Sequence, residues 1–586
     1  MQKYGIIGGF IMAITSDPKY QPFIEVLGMR LFRIPEYQRC YSWEEHQIKD
    51  LFDDITKLYS KQSKNKYDHH FMATIVCLNT MNSEELGSKV LPVLHVVDGQ
   101  QRLTTLIILL KAISKKLLVQ NEKKYTNEGE ELNKLLIKDD DRLILLQTNH
   151  DSSNVFRNYL KQGSIPSKSK TIAEEKLRDA FIWCEDYVEQ WHKTKDLIDL
   201  LKIVKNRLDF IYYELSDEQS VYTVFEVLNS RGLPVDGLDK CKSMLMGIAF
   251  EKFEVQVANE KIGEIHQLWS NIYRTIGVCN IRSDEILRFS ATLMHATPIS
   301  QPVSEEESLS QFRLLCESDP QKVIEISQKI LEITEKLTKL YATKRLEAVI
   351  EISYARLLAI SIYLNPTLND NQRQEVLSMW ERVTFKVFSL CDKDSRFSRG
   401  DFTKLAYDVY NSNMGKDKIL RRLKQIGDKY SFDEVLKNIS NTDCYNNWTK
   451  ELRYFLYQFE EYLAERSGEK VGSELWEKIW ESSPSTTIEH IFPQNPSSEW
   501  KGKIDPSNNT DLITHNVNRI GNLALLPPGE NSRIKNFSFK KKKEAYKNSG
   551  LRMVFDLLKK DDWNIKAISE REEIMIQFAK QRWDFK

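Results

Sequence analysis

Side chains able to act on phosphate fall in two well-separated regions of the sequence. The first contains Ile34-Pro35-Glu36-Tyr37-Gln38-Arg39-Cys40-Tyr41-Ser42-Trp43 and, further on, Val97-Asp98-Gly99-Gln100-Gln101-Arg102-Leu103-Thr104-Thr105. In the later string an apolar run delivers a Gly-containing turn to a helix start. Backbone N–H groups at such a start lack intrahelical partners and favour an anion, most naturally a phosphate. Arg39 and Arg102 could supply bidentate donors to phosphate oxygens, and Thr104 or Thr105 a hydroxyl to phosphate or metal. Asp98 suits two roles: capping the helix, or activating water and holding Mg2+ beside a triphosphate. The same residues suit a plainer arrangement, an Asp-capped helix after a glycine turn with both arginines in surface ion pairs. Tyr41 and Trp43 read as packing anchors.

The second region begins at Ile488-Glu489-His490-Ile491-Phe492-Pro493-Gln494 and continues with Asn518-Arg519-Ile520-Gly521-Asn522-Leu523-Ala524-Leu525-Leu526 and Asn531. These residue types suit phosphodiester hydrolysis, which needs a base for water and a divalent cation for the charge that builds on phosphorus and the leaving oxygen. Imidazole titrates near neutral pH, which makes His490 a credible base. Glu489 and Asn531 are hard oxygen ligands appropriate to Mg2+ or Mn2+. Asn522, ahead of an apolar strand, could orient the histidine or tie a hairpin together through its amide. Taken singly, each fragment also reads as ordinary structure, since Gly-Asn is a common turn pair.

Close behind lies a basic block. From Arg533 to Lys547 there are seven basic residues against the single acid Glu544, a net +6 in fifteen residues. A charge run is ordinarily a solvated face. Beside a candidate hydrolytic histidine, phosphate contact is the better reading, and it implies salt-sensitive binding that positions a duplex without reading its sequence. Arg519, Lys535, Lys540, Lys541, Lys542 and Lys543 are the candidates for that contact.

Several elements must carry these groups. Strand-like runs at 31–34, 70–78 and 90–97 frame a charged helix over 44–58, whose Ile48, Leu51, Phe52 and Ile55 have helical spacing. The run at 70–78 is expected to end in a polar loop, and the one at 90–97 to feed a Leu- and Ile-rich helix. Residues 121–175, rich in Lys and Asp, read as an exposed excursion. From about 175 to 470 the spacing of apolar residues is helical, interrupted by a strand-like run at 208–214 before 221–232. The last 110 or so residues return to short strand and turn patterns.

Composition narrows the class. The 586 residues carry 84 Lys+Arg against 84 Asp+Glu, which excludes a disordered polyelectrolyte and a uniformly basic nucleic-acid coat. The eight cysteines are scattered without CxxC spacing, as expected of reduced thiols in a cytoplasmic protein. The apolar stretch Gly5 to Ile14 is a poor secretion signal, because Thr15-Ser16-Asp17-Pro18 is a poor cleavage site. Later apolar runs are too short to span a bilayer, so no membrane association is expected.

The first pair of strings, Ile-Pro-x-Tyr-Gln-Arg-x-Tyr-x-Trp and Asp-Gly-Gln-Gln-Arg-Leu-Thr-Thr, resembles the N-terminal domain of the GmrSD family of modification-dependent (type IV) restriction endonucleases. That domain has a ParB- and sulfiredoxin-like core. A third family string is present as Phe225-Glu226-Val227-Leu228-Asn229-Ser230-Arg231-Gly232, then Leu238-Asp239-Lys240. The C-terminal string, Glu489-His490-Ile491 with Pro493-Gln494, Trp500, Ile520-Gly521-Asn522-Leu523, Asn531, Asn536, Phe539-Lys540 and Tyr546, resembles the HNH (His-Me finger) nuclease domain of the same family. Many His-Me nucleases have Asp before the histidine where this sequence has Glu489. A carboxylate survives, and direct metal ligation by it stays open.

The resemblance implies an α+β, predominantly helical chain with three parts. These are a ParB-like nucleotide-binding and sensing domain over 20–245, a helical connecting region over 246–440, and a ββα-metal (HNH) nuclease domain over 441–586. It implies that Gln38, Arg39, Asp98, Gly99, Gln100, Gln101, Arg102 and Thr104 bind and hydrolyse a nucleoside triphosphate (GTP, UTP or ATP), with Asn229 and Arg231 closing the site. His490, Asn522 and Asn531 would be catalytic, with Mg2+ or Mn2+ near Glu489 and Asn531. The partner would be modified double-stranded DNA, and a homodimer is compatible with it. Two other readings stand beside this one: a phosphorothioate-sensing anti-phage NTPase and nicking nuclease of the SspE type, and a ParB-like DNA-binding regulator with an inactive nuclease half.

Overall fold

The computed structural model describes residues 5–7, 10–12, 19–61, 68–138, 143–148, 152–216, 236–278, 281–441, 443–500, 502–504 and 510–585. The chain is α+β and predominantly helical, and it forms two compact units. One comprises Met1–Ala291 with Ser304–Thr338, the other Thr292–Val303 with Lys339–Lys586. The helices of 246–440 are therefore divided between the two units and do not form a body of their own.

The N-terminal unit is built on a six-stranded mixed sheet. Its strands are β3 (Lys19–Pro22), β4 (Leu31–Ile34), β5 (His70–Leu86), β6 (Lys89–Asp98), β7 (Leu146–Thr148) and β8 (Leu208–Leu215), in the order β3-β8-β5-β6-β4-β7. The two short strands that precede it, β1 (Gly5–Ile7) and β2 (Phe10–Met12), pair with each other, so the N-terminal apolar stretch contributes to a hairpin. Against the sheet lie α1 (Glu45–Lys61) and α2 (Gln100–Leu118). Helix α2 is buried on nearly every side, with Leu103, Leu106, Ile107, Leu110, Ile113 and Leu117 fully enclosed. That is why its sequence lacks a polar face and reads as a continuous apolar run. Two further helices, α3 (Gly237–Lys252) and α4 (Val255–Ile276), complete the surroundings of the Arg39 loop.

Two sequence expectations change here. Beyond Leu78 the chain continues as strand, with Asn79 opposite Leu94 and Leu86 opposite Lys89, where a polar loop was expected. Residues 81 to 85 are exposed, so the pairing is held by backbone hydrogen bonds and leaves no apolar alternation to read. The stretch 121–175 is also not an exposed excursion. Helix Lys123–Leu136 buries Leu132 and Leu136, helix Ser153–Gln162 buries Phe156, Tyr159 and Leu160, and β7 pairs in parallel with β4 at the sheet edge.

The C-terminal unit is helical around one small antiparallel hairpin. Strands β9 (Ile488–His490) and β10 (Leu523–Leu525) pair with Leu523 opposite His490 and Ala524 opposite Glu489. Four helices frame this hairpin: α5 (Cys444–Asn447), α6 (Pro528–Ile534), α7 (Phe539–Lys547) and α8 (Ile565–Trp583). Among the described residues no helix is long and apolar enough to cross a membrane.

Candidate functional site

In the N-terminal unit, β6 delivers Asp98 and Gly99 to the start of α2. Gly99 is the N-cap, with φ at +86°, and a Cβ there would lie 2.8 Å from the Thr74 carbonyl oxygen. Only glycine meets both demands. The cap has no side-chain hydrogen bond, so Asp98 does not cap α2 through its carboxylate in the usual way. Burial and the like charge of Asp239 push the Asp98 carboxyl upward, against the Gly99 N–H, Arg102 and Arg39.

Arg39 sits on the loop after β4, with Nη1 3.7 Å from Asp236 Oδ2 and Nε 3.5 Å from Asp239 Oδ2. Burial works against its charge, but Asp239 and Asp236 more than offset this and hold its pKa above the ordinary value. Asp236 caps α3 by accepting the Leu238 N–H at 2.9 Å, and accepts Ser283 Oγ at 2.5 Å. Asp239 accepts Tyr273 Oη at 2.5 Å. Lys242, one turn on, is buried and donates to the Tyr37 carbonyl at 3.1 Å, and burial pushes it down to about 8. Three carboxylates and three cations thus converge on the end of β6 and the start of α2. Arginines gathered at a helix start are what phosphate sites are made of.

The individual residues divide by what they touch. Gln101 accepts the Ser42 N–H at 3.0 Å and donates to the Cys40 carbonyl at 3.1 Å, so it pins the Arg39 loop to α2 and presents nothing outward. Gln38 and Thr104 are buried. Gln100 is also buried, yet its Oε1 has no hydrogen-bond partner, which leaves an acceptor waiting for a donor. Arg102 is half-buried, 5.9 Å from the Trp43 ring centroid. Thr105 Oγ1 and Tyr41 Oη are 2.7 Å apart in the core, which makes Tyr41 an anchor. Asn229 and Arg231 lie outside the described residues. Asp236 and Lys242 were missed in the sequence, although Asp236-Gly237 has the form of a helix start. A cavity of about 190 Å³ opens beside Arg39, Ser42, Lys176, Asp236, Tyr273 and Ser283.

In the C-terminal unit, His490 ends β9 and is 8% exposed. Its Nε2 is 3.1 Å from Asn518 Oδ1, and Asn518 Nδ2 donates to Asp443 Oδ2 at 2.9 Å. The Tyr445 ring meets the imidazole edge-on, with centroids 4.4 Å apart. Burial pushes His490 down to about 4; the Asn518 hydrogen bond opposes that shift, Lys542 adds to it and Asp443 opposes it. At neutral pH the ring is therefore uncharged and able to accept a proton.

Asn531, on α6, donates through Nδ2 to the carbonyls of Thr486 and Ile488, each at 3.0 Å. Its amide thereby ties the helix to the strand that carries His490, and Oδ1 is left as an acceptor. Asn522 does no chemistry of its own. It is fully buried, accepts Phe492 N–H at 2.8 Å and Trp563 Nε1–H at 2.9 Å, and donates to the carbonyls of Phe492 and Val517. All its capacity goes into clipping the loop after His490 to the hairpin. Gly521 beside it allows α8 to approach, since a Cβ there would collide with the Ile568 carbonyl, and Arg571 donates to the carbonyls of Gly521 and Leu523.

Other sequence expectations are corrected. Glu489 is not placed as a metal ligand. On a three-residue strand it faces away from His490, is 2% exposed, and accepts Lys542 Nζ at 2.8 Å and Tyr546 Oη at 2.9 Å. Lys542 is not a DNA contact, being fully buried and also bonded to the His490 carbonyl at 2.6 Å. Arg519 is spent inside the unit on Glu572, Asn516 and Ser569. Lys543 is half-buried and donates to the Leu558 carbonyl at 3.1 Å. Lys535, Lys540 and Lys541 remain exposed.

Among the described residues no group of three or more His, Cys, Asp or Glu is arranged to hold a metal ion. The donor left near the hairpin, Asn531 Oδ1, fits a cation such as Mg2+ that keeps several waters and few protein ligands.

No curated protein matches the chain. Residues 23–246 match the model of the GmrSD restriction endonuclease N-terminal domain, and residues 430–578 that of the GmrSD restriction endonuclease C-terminal domain. The two matches occur in this order and together take in more than half of the chain, each containing one of the charged clusters above; the chain belongs to the GmrSD restriction endonuclease family.

Proposed function

We propose that this nuclease hydrolyses modified double-stranded DNA in an HNH-type C-terminal site, under the control of a nucleoside triphosphate bound in a ParB-like N-terminal site. The observation that carries the reading is His490, a neutral buried imidazole on the first strand of a hairpin whose following helix is tied to that strand by Asn531. His490 accepts a proton from the attacking water. Asn531 Oδ1 would hold the cation, which when bound would supply positive charge to the reacting phosphate and the leaving oxygen. Lys535, Lys540 and Lys541 neutralise neighbouring phosphates without reading bases.

In the N-terminal unit, the free N–H groups at the start of α2, with Arg39 and Arg102, receive the phosphates. Asp98 would be the carboxylate that meets the triphosphate's Mg2+, since Asp236 and Asp239 are engaged by Arg39, Ser283 and Tyr273. The unpartnered Gln100 Oε1 supports a ligand donor there.

The test is cleavage of matched plasmids, unmodified, base-modified or phosphorothioated, with Mg2+ and with or without each triphosphate. His490→Ala should abolish cleavage, and cleavage equal to wild type would remove the nuclease assignment from this hairpin. Asp98→Ala and Arg102→Ala should abolish triphosphate turnover; turnover untouched by both would refute the N-terminal assignment. Preference for the phosphorothioated plasmid would favour the SspE-type reading.

A further inference from the structure

The nuclease reading names His490 as base but leaves open which nitrogen takes the proton. We propose that Asp443 and Asn518 form a relay that fixes the His490 tautomer, so that Nε2 carries the hydrogen and Nδ1 is the base. This rests on the nuclease reading for its purpose, though not for its geometry.

The chain of reasoning starts at the carboxylate. An ionised carboxylate only accepts hydrogen bonds, so the Asn518 group facing Asp443 Oδ2 at 2.9 Å is its NH2. Asn518 Oδ1 then faces His490 Nε2 at 3.1 Å, and an amide oxygen cannot donate. Nε2 must therefore be protonated, and in the neutral ring Nδ1 holds the lone pair. Asp443 is itself held, accepting Asn446 N–H at 3.0 Å on Oδ1 and Asn446 Nδ2 at 2.8 Å on Oδ2 as it caps α5. The ring cannot easily turn, because Tyr445 bears on it edge-on and Lys542 grips the His490 carbonyl at 2.6 Å. Asn518 is 4% exposed, so water cannot substitute for it at low cost.

The step balances simply. The water proton moves to Nδ1 as the water oxygen forms the new P–O bond. The opposite P–O bond breaks, its electron pair leaving with the departing oxygen, which takes a proton from solvent. Throughout, Nε2–H stays on Asn518 Oδ1, and the imidazolium charge is stabilised through the amide by Asp443. Asp443 and Asn518 are positioning residues.

The experiment uses the full chain labelled with ¹⁵N at its ten histidines, His490 being assigned by comparison with His490→Asn. Wild type should show an unprotonated Nδ1 and a protonated Nε2. Asp443→Asn keeps the cap acceptor for Asn446 N–H but offers Asn518 an ambiguous partner. It should give mixed tautomers and lower kcat by about ten- to hundredfold with KM for DNA unchanged. That loss is smaller than the roughly 10⁴-fold cost of amidating a carboxylate that touches its histidine, because here the effect passes through an amide. The exchanged variant Asp443→Asn/Asn518→Asp restores the order, with a carboxylate accepting Nε2–H and an amide behind it, and should recover the tautomer and much of kcat. Wild-type nitrogen signals in Asp443→Asn, or no recovery of the tautomer in the exchanged variant, would overturn the relay. His490→Ala separates the two ideas. If it cleaves normally the nuclease reading fails, whereas the nitrogen signals still decide the tautomer.

Discussion

The basic block offers a sharp contrast between neighbours. Lys542 has a fully buried side chain bonded to the equally enclosed Glu489, whereas Lys540 and Lys541 on the same helix are exposed. Lys542→Ala leaves the Glu489 carboxylate buried with Tyr546 and the His490 N–H as its remaining partners, and breaking a buried pair in this way costs about 3–5 kcal/mol. For a folding unit of this size each kcal/mol moves the midpoint by about 2–4 °C, so the thermal transition of the C-terminal unit should fall by roughly 6–20 °C. Lys540→Ala should change stability by no more than about 0.5 kcal/mol. Its effect belongs to DNA binding, where each lost phosphate contact lowers the slope of log affinity against log salt by about 1. Thermal melts of both variants, with duplex binding followed by anisotropy across a salt series, separate the two roles. Replacing both partners, as Glu489→Gln/Lys542→Met, should recover most of the lost stability. A Lys542→Ala protein that melts like wild type but loses salt slope would refute the buried pair.

Three other outcomes follow from the same structure. Glu460 is fully buried, accepts the Arg552 and Met553 N–H groups, and burial raises it to about 7. Because its folded pKa lies above its unfolded value, its contribution to stability is full below about pH 4.5 and is lost as pH rises through about 7. The loss is about 3 kcal/mol, and urea titrations of Glu460→Gln should lack that slope. Gly99→Ala, forced to φ +86° and against the Thr74 carbonyl, should cost more than about 1 kcal/mol by urea titration and weaken triphosphate binding measured calorimetrically. Asn522→Ala strands buried partners at Phe492, Val517 and Trp563 and should cost about 3 kcal/mol or more by thermal melt, whereas a purely catalytic residue would leave the melt unchanged.

What could be read in advance followed from local repetition. Strands β4 and β6 and helix α2 are apolar runs bounded by Pro35 and by Asp98-Gly99, so their type and ends were legible. Helix Ser153–Gln162 was not, because its few apolar positions are diluted among Lys, Asn and Gln. In the nuclease region, Ile488-Glu489-His490 was legible as a strand. Its alternation already places Glu489 and His490 on opposite faces, and the attraction of a carboxylate beside a histidine concealed this. Lys542 was legible too, since Phe539, Lys542, Ala545 and Tyr546 share one helical face, but its membership of a lysine run outweighed its spacing. Asp443 and Asp236 lie far in the chain from the groups they serve, and no local spacing reveals such partners. They become visible only once the fold brings distant segments together.

Gly521 and Arg571 have a further bearing on the order in which the protein is made. The hairpin that carries His490 is bolted to α8 through the bare Gly521 backbone and the Arg571 guanidinium, and α8 is encoded well after both strands. On the ribosome, β9 and β10 emerge before the helix that clamps them. The hairpin that carries His490 is therefore closed only once α8 has emerged, by which time the N-terminal unit has had the time to fold.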